Sequence, residues 1–256
     1  MSESPDDAQR AREVFFALHE GLPRQAPGHA SCTASALGFV RRQREPRRVL
    51  DVGCGPGAQT VDLAQLLPRA HFTAVDLYPP FVEEARARLA DAGCGDRVTV
   101  EVGDMAELPF PEASFDLVWC EGAAYILGVE TALASWRPLL EDGGCVAFTD
   151  AAWLRVDPSE AARAFWETDY PSMSDVATLL RRVEAERYRV LGHFVLPASA
   201  WDAYYAPLTE RTDAYAASHP HDPVVDLVLA STRREIDLYA NHGDCYGYVF
   251  VIAEKA

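Results

Sequence analysis

Three glycines at alternate positions interrupt the chain directly after an apolar stretch. Gly53, Gly55 and Gly57 lie in the segment VLDVGCGPGAQT, which spans residues 49–60. Glycine permits positive φ and lets a ligand approach the backbone closely because it has no side chain. A helix predicted directly after these glycines would offer its N-terminus to an anionic group. The spacing therefore predicts a loop that binds a nucleotide or a nucleoside.

Acidic residues at the ends of the predicted strands narrow the choice of ligand. Asp51 precedes the glycines, where a carboxylate suits an ammonium group and would repel a pyrophosphate. Asp76 ends the second predicted strand and can accept hydrogen bonds from both hydroxyls of a ribose. Asp104 follows the third strand and can accept from the amine of adenine, while Met105 can pack on the ring. These residues favour a nucleoside that carries an amino-acid tail.

A second ligand class stays open at this point. The spacing Gly53-x-Gly55-x-x-Ala58 also satisfies the permissive form of the dinucleotide-binding pattern. A nicotinamide- or flavin-dependent oxidoreductase is therefore the alternative enzyme class. A cofactor-binding module without catalysis, which acts through a partner, is a third hypothesis.

Strands and helices alternate through the middle of the chain and must position these residues. Apolar strands are predicted at RRVLDVG, HFTAVDL, RVTVEVGD, FDLVWCEG and GGCVAFTDA, with helices between most of them. Such alternation is typical of βαβ units and of a parallel sheet with right-handed crossovers. Two further strands, YRVLGHFVLP and CYGYVFVIAEK, follow in the last 70 residues. Helices are predicted before the first strand at 4–20, capped by Ser4, and at roughly 31–44.

Four of the strand ends resemble those of the class I S-adenosylmethionine-dependent methyltransferases. The matching segments are VLDVGCGPG (49–57), AVDLYP (74–79), VGDMAELPFPEASFDLVWCEGAAYIL (102–127) and GGCVAFTD. The stretch LPFPEASFDLV is most similar to the small-molecule branch that includes quinone-biosynthesis methyltransferases. LPRQAPG and YRVLGHFVLPASAW are similar to a group of bacterial methyltransferases of unassigned substrate.

The resemblance implies an α/β fold with a particular sheet. We expect a Rossmann-like seven-stranded sheet in the order 3-2-1-4-5-7-6, with the seventh strand antiparallel and helices on both faces. Residues 1–45 would form an N-terminal helical lid, and residues 46–256 the methyltransferase domain. Helical insertions are expected at about 152–173 and 199–242.

The resemblance also implies S-adenosyl-L-methionine as cofactor and assigns residues to it. Asp51, Gly53 and Gly55 would hold the methionyl end, with Gly57 in the same loop. The remaining assignments are Asp76 for the ribose, Leu77, Asp104 and Met105 for the adenine, and Glu121 and Gly122 for the sulfonium region.

A polar pair in the segment LPRQAPG forms a separate hypothesis. Arg24 and Gln25 lie between turn-forming residues just before the predicted domain. Arg24 could pair with the methionyl carboxylate, and Gln25 could form a hydrogen bond beside it.

Glu121 and Tyr125 are the candidate catalytic residues on the acceptor side. Glu121 could orient a donor or act as a base, or it could only contact the cofactor. Tyr125 lies one helical turn later and could present its hydroxyl to the same cavity, or it could be a core residue. His29 and His193 are better explained as a loop residue and a sheet-face residue.

An aromatic segment after the fifth strand bears on the acceptor. Trp153, Phe165, Trp166 and Tyr170 could cover the substrate cavity, which would suit a flat or apolar molecule or a cation held by aromatic faces. Ordinary amphipathic packing explains the same residues nearly as well. Only a small O, N or C nucleophile is predicted as the acceptor.

Composition disfavours several other partners. A formal net charge of −16 disfavours a nucleic-acid substrate. The chain has no apolar run of the length that spans a membrane and no signal-peptide pattern, so we expect a cytoplasmic protein without a membrane partner. The six cysteines have no metal-ligand spacing, so no metal site is predicted. The oligomeric state is open, with a homodimer as one option.

Overall fold

The computed structural model describes residues 5–256, and within this range one mixed sheet organises the chain. Its strands are paired in the order β3-β2-β1-β4-β5-β8-β7, and a short β6 pairs with β5. The strands are β1 Arg48–Val52, β2 His71–Asp76, β3 Val98–Val102, β4 Phe115–Cys120, β5 Leu140–Trp153, β6 Ser174–Asp175, β7 Tyr188–Val195 and β8 Tyr246–Lys255.

Helices cover both faces of this sheet and extend beyond it. They are α1 Pro5–His19, α2 Ala30–Arg41, α3 Ala58–Leu66, α4 Pro79–Asp91, α5 Val129–Trp136, α6 Glu160–Asp169, α7 Val176–Ala185, α8 Ala198–Ser218 and α9 Pro223–His242. The predicted cap Ser4 of the first helix lies outside the described residues.

The predicted strand order is confirmed once the two-residue β6 is set aside. β1, β2, β3, β4 and β5 are mutually parallel, and β8 runs antiparallel to both β5 and β7. β6 was not predicted because two residues carry no readable alternation. Between β4 and β5 the helical segment is interrupted, because Gly128 adopts φ +80° before α5 and the tighter turn Arg137–Leu139 follows it.

Burial of the central strands fixes the sheet in the middle of the molecule. Every residue of β4 is buried, and β1 is buried from Val49 onward. Such strands are hydrophobic on both faces because helices cover both. Because β1, β2, β3 and β4 are parallel, their carboxyl ends lie at one edge of the sheet, and the loops after them share one region.

Two N-terminal helices complete that region. Val14 and Leu18 of α1 pack against Val225 and Leu229 of α9 and are almost fully buried. α2 packs on the sheet through Leu37, among others. All six cysteines are free thiols in buried positions. Within residues 5–256, no helix combines the length and the apolar character that a membrane crossing requires.

Candidate functional site

A cavity of about 520 Å³ lies at the carboxyl ends of β1, β2, β3 and β4. The loops after these strands line one side, and α1 with the segment after it lines the other. Of the residues predicted for the site, the cavity wall includes Arg24, Gln25, Gly53, Gly55, Asp76, Leu77, Asp104, Met105, Glu121, Gly122 and Tyr125. Asp51 and Gly57 are not part of this wall.

The glycines of the loop have positive φ and little space around them. Gly53 has φ +68°, and a Cβ there would lie 2.6 Å from the Cβ of Ala123. Gly57 has φ +82°, and a Cβ there would lie 2.9 Å from the Cβ of Ala85 in α4. Gly57 therefore serves the packing of α3, which it precedes, against α4, whereas Gly53 lies on the cavity wall.

Asp76 holds the glycine loop in place from the end of β2. Its Oδ2 accepts a hydrogen bond from the amide of Gly55 at 2.8 Å, and its Oδ1 accepts from the amide of Tyr78 at 2.9 Å. Burial raises the pKa of Asp76, and these two amide donors oppose that rise. The carboxylate therefore joins the loop after β1 to the turn before α4 and still lines the cavity.

Asp51 lies fully buried in β1, outside the cavity wall. Its Oδ2 accepts from the hydroxyl of Thr60 at 2.6 Å, and its Oδ1 has no hydrogen-bond partner among the described residues. Desolvation raises the pKa of Asp51 to about 7, opposed by the bond from Thr60. The unpaired oxygen makes Asp51 a buried carboxyl whose charge is costly at neutral pH.

Glu121 is saturated with hydrogen bonds from protein donors. Its Oε1 accepts from Thr33 Oγ1 at 2.8 Å and from Trp119 Nε1 at 2.9 Å. Its Oε2 accepts from Arg24 Nη1 at 3.1 Å, and Arg24 Nη2 donates to Asp62 at 2.5 Å. Burial raises the pKa of Glu121, whereas Arg24 lowers it. The arrangement is that of an anchor between the N-terminal segment and the sheet.

Gln25 lines the cavity and has a buried acceptor without a partner among the described residues. Its Nε2 donates to the carbonyl of His19 at 2.8 Å, and its Oε1 is buried without a partner in the described chain. The side chain also packs against the loop, since a Cβ on Gly55 would lie 3.3 Å from Gln25 Cγ. The side chain is thus held between the end of α1 and the glycine loop.

A second cavity of about 190 Å³ adjoins the first and shares His19, Gln25, Gly122 and Tyr125 with it. Of the aromatic segment predicted to cover the substrate cavity, Trp166 and Tyr170 line this second cavity. Trp153 and Phe165 pack instead into a cluster formed with α8 and α9. Two of the four aromatic residues therefore line the second cavity, and the other two pack in a hydrophobic cluster.

Sequence reasoning missed His19, which lines both cavities and is 3% exposed. Its Nδ1 lies 2.7 Å from the carbonyl oxygen of Phe15, which can only accept, so Nδ1 carries the proton. Burial lowers the pKa of His19, which leaves Nε2 as an acceptor for the hydroxyl of Tyr204 at 3.2 Å. A single histidine at a helix end carried no sequence pattern that could have identified it.

Glu235 of α9 was also missed, because it too carried no sequence pattern. The two histidines considered from the sequence, His29 and His193, lie elsewhere. Glu235 lines the second cavity and accepts from the hydroxyl of Tyr205 at 2.9 Å. His29 caps α2 by accepting from the amide of Ser31, and His193 is exposed on β7. Neither His29 nor His193 lines either cavity.

Comparisons with known proteins agree on one family. Residues 49–144 match the family model described as a methyltransferase domain. The chain is 27% identical over 193 residues to a malonyl-[acyl-carrier protein] O-methyltransferase of Legionella pneumophila, covering 74% of this chain and 56% of that protein. It is 31% identical to a trans-aconitate 2-methyltransferase of Rhodococcus jostii, covering 63% of each. The aligned part thus spans little more than half the length of these relatives.

Solved structures share the fold over almost the whole chain. YjhP of E. coli superposes with a TM-score of 0.83 at 21% identity, covering 95% of this chain and 100% of that one. A methyltransferase of Geobacter sulfurreducens, solved with S-adenosyl-L-homocysteine, has a TM-score of 0.82 at 22% identity, covering 95% and 98%. Residues 49–144 thus match a methyltransferase domain, and the predicted resemblance to the class I S-adenosylmethionine-dependent methyltransferases is confirmed.

Proposed function

We propose that this chain transfers the methyl group of S-adenosyl-L-methionine to an O, N or C nucleophile of a small molecule. The observation that carries the proposal is the pair of adjoining cavities, one formed by the glycine loop and the strand-end carboxylates and one by aromatic side chains. The first suits a nucleoside cofactor in size, since small-molecule sites usually enclose about 300–1,000 Å³.

The donors and acceptors of the first cavity fit the proposed cofactor. Asp76 offers carboxylate oxygens for ribose hydroxyls, and Asp104 offers them for the adenine amine. The unpaired Oε1 of Gln25 is an acceptor for the ammonium of a methionyl tail. Gly53 and Gly55 line the same cavity with backbone that carries no side chain, along which we propose that tail lies. Arg24 keeps its predicted role toward the methionyl carboxylate as a proposal, although Glu121 and Asp62 already balance its charge.

When bound, the cofactor supplies a methyl group on a sulfonium, which is already activated for in-line displacement. The chain's own task is to hold two reactants in line and to exclude water. Gly122 and Tyr125 line both cavities, so we propose that the methyl group passes from cofactor to acceptor beside these two residues. We propose that the Tyr125 hydroxyl orients the acceptor and that Glu121, with both oxygens already bonded, positions Arg24.

The N-terminal part is proposed to act as a lid. Phe16 of α1 stacks on Tyr78 with ring centroids 4.0 Å apart, and both line the first cavity. Residues up to 45 would therefore open and close over the cofactor, and residues 46–256 would form the catalytic domain. The cytoplasmic location, the likeness to quinone-biosynthesis enzymes, the bacterial source, the homodimer and the absence of nucleic-acid or membrane partners stay predictions from the sequence.

The acceptors named for the relatives are not carried over. Trans-aconitate is a polycarboxylate, whereas the second cavity contains Asp169 and Glu235 and no arginine or lysine among its described lining residues. One structural neighbour with a TM-score of 0.70 is a [4+2]-cyclase at 18% identity, so this fold can also carry other chemistry. The family match favours methyl transfer over the dinucleotide alternative.

Calorimetry with two ligands tests the proposal. S-adenosyl-L-homocysteine and NADH are titrated separately into the full chain, and unfolding temperatures are compared with and without each. We expect heat and a raised unfolding temperature with S-adenosyl-L-homocysteine only, because a ligand that binds the folded state stabilises it. Screening a metabolite panel for S-adenosyl-L-homocysteine release then tests catalysis. Stabilisation by NADH alone would favour the oxidoreductase, and cofactor binding without any turnover would favour the non-catalytic module.

A further inference from the structure

The second cavity differs from the first in the side chains that line it. It extends from Gly122 and Tyr125, at the junction with the first cavity, to Glu235 on α9. Its volume of about 190 Å³ is comparable with cavities of about 150 Å³ that hold one benzene ring. The part of an acceptor that enters it is therefore small.

Negative charge dominates the wall of this cavity. Glu235 and Asp169 contribute carboxylates, and the described lining residues include no arginine or lysine. His19 is uncharged there, because burial lowers its pKa and its Nε2 faces Tyr204. Arg182 opposes the rise in the pKa of Asp150, but it does not line the cavity, and its guanidinium is paired with the carboxylate of Glu130 at 3.1 Å.

Glu235 is held toward the cavity by a single hydrogen bond. The hydroxyl of Tyr205 donates to its Oε1 at 2.9 Å, and no hydrogen bond to its Oε2 is present within the described chain. Burial raises the pKa of Glu235, the bond from Tyr205 opposes this, and Asp169 adds to the rise. A partly buried carboxylate with a free oxygen needs a compensating charge.

Aromatic rings form much of the remaining wall. Trp166, Tyr204 and Tyr248 line the cavity, and Trp201 contacts Tyr248 edge to face at a centroid distance of 5.3 Å. Ring faces attract organic cations and lose little when water is excluded. Carboxylates combined with aromatic rings, with no arginine or lysine among the described lining residues, form a surface that favours a cation and disfavours an anion.

We propose that the acceptor is a small organic amine, bound as its ammonium ion between Glu235 and the aromatic rings of the second cavity. This inference rests on the proposed methyltransferase function and adds the substrate class to it. The sequence allowed flat, apolar or cationic acceptors, and the position of Glu235 selects among them.

The step balances in atoms and charge. Glu235 takes one proton from the ammonium, which frees the nitrogen lone pair. With S-adenosyl-L-methionine bound, the nitrogen would form a bond to the methyl carbon while the carbon–sulfur bond breaks. The electron pair of the broken bond would stay on sulfur. The positive charge would move from sulfur to the methylated nitrogen, toward the carboxylate of Asp169, which would lower the barrier electrostatically. The proton on Glu235 passes to solvent when the product leaves.

Calorimetry with three probes of one shape tests the inference. Benzylamine, benzyl alcohol and benzoate are titrated into the full chain saturated with S-adenosyl-L-homocysteine, so no turnover is needed. We expect benzylamine to bind about tenfold or more tightly than either of the others. Glu235→Gln should weaken benzylamine binding about tenfold and leave the affinity for S-adenosyl-L-homocysteine within about twofold. Glu210→Gln, at an exposed position of α8, should change neither.

The outcomes separate this inference from the function on which it rests. No heat with S-adenosyl-L-homocysteine would overturn the proposed function. Heat with it, but benzylamine binding no tighter than benzyl alcohol or benzoate, would overturn the inference and leave the function standing. The comparison of probes on the unaltered chain decides the matter even if Glu235→Gln does not fold.

Discussion

The guanidinium of Arg24 donates to the carboxylate of Glu121 over 3.1 Å and so ties the N-terminal segment to the end of β4. Both side chains are largely buried, at 11% and 5% exposure. Breaking such a pair leaves an uncompensated buried charge, which typically costs about 3–5 kcal/mol. The pair therefore couples the stability of the fold to the closure of the cavity.

Arg24→Ala should lower the free energy of unfolding by roughly 3 kcal/mol, measured by urea denaturation. The exposed pair of Arg233 and Asp213 supplies the control, and Arg233→Ala should cost less than about 1 kcal/mol. Adding Glu121→Gln to Arg24→Ala should recover part of the loss, because the stranded charge is removed. Equal losses for Arg24→Ala and Arg233→Ala would show that the buried pair contributes no more than an exposed one.

Gly53 and Gly93 have the same backbone angle but different surroundings. Both have φ +68°, yet a Cβ on Gly53 would collide with Ala123 at 2.6 Å, whereas nothing lies within 4 Å of one on Gly93. Gly93→Ala should cost about 1–2 kcal/mol for the left-handed backbone alone. Gly53→Ala should cost about 1–3 kcal/mol more and weaken S-adenosyl-L-homocysteine binding. The measurements are urea denaturation and calorimetry, and equal losses of stability for both variants would contradict the steric argument.

Asp51 makes stability depend on pH in a direction that follows from its burial. Its pKa in the folded chain is about 7, above that of a free aspartate at about 3.9, so the folded state holds the proton more tightly. Its contribution to stability is complete below about pH 4 and is lost as the pH rises toward 7. Asp51→Asn should flatten the fall in unfolding free energy between pH 4 and 7 by on the order of 2–4 kcal/mol.

Urea denaturation at several pH values measures this slope. Asp91→Asn, at an exposed position of α4, is the control and should leave the slope unchanged. Asp150 has a pKa raised to about 7 by burial as well, so part of the slope should persist in Asp51→Asn. An unaltered slope in Asp51→Asn would show that Asp51 does not titrate in this range.

The sequence predicted the fold and the residues at the strand ends that line the first cavity. Strand ends such as Asp76 and the glycine loop are local patterns, because the fold places the carboxyl ends of parallel strands at one edge. His19 and Glu235 could not be found in this way. They reach the second cavity only through the packing of α1 and α9, which are far apart in sequence and carry no motif. Likewise, the pairing of Arg24 with Glu121 depends on a contact across 97 residues.

Tyr78 supplies the last prediction, because it contacts both α1 and the segment that follows α1. Phe16 stacks on its ring at 4.0 Å, and its hydroxyl donates to Glu20 at 3.0 Å. Tyr78→Ala removes both contacts, whereas Tyr78→Phe keeps the stacking. We expect amide hydrogen exchange in α1 to speed up about tenfold in Tyr78→Ala, since a lost aromatic pair and hydrogen bond are together worth about 1–3 kcal/mol. Tyr78→Phe should exchange nearly as the unaltered chain does, and S-adenosyl-L-homocysteine should slow exchange in all three.

If Tyr78→Phe exchanged as fast as Tyr78→Ala, the hydrogen bond rather than the ring would hold α1 in place. If neither variant changed the rate, the contacts with Tyr78 would not be what holds α1 in place, and the prediction would be contradicted.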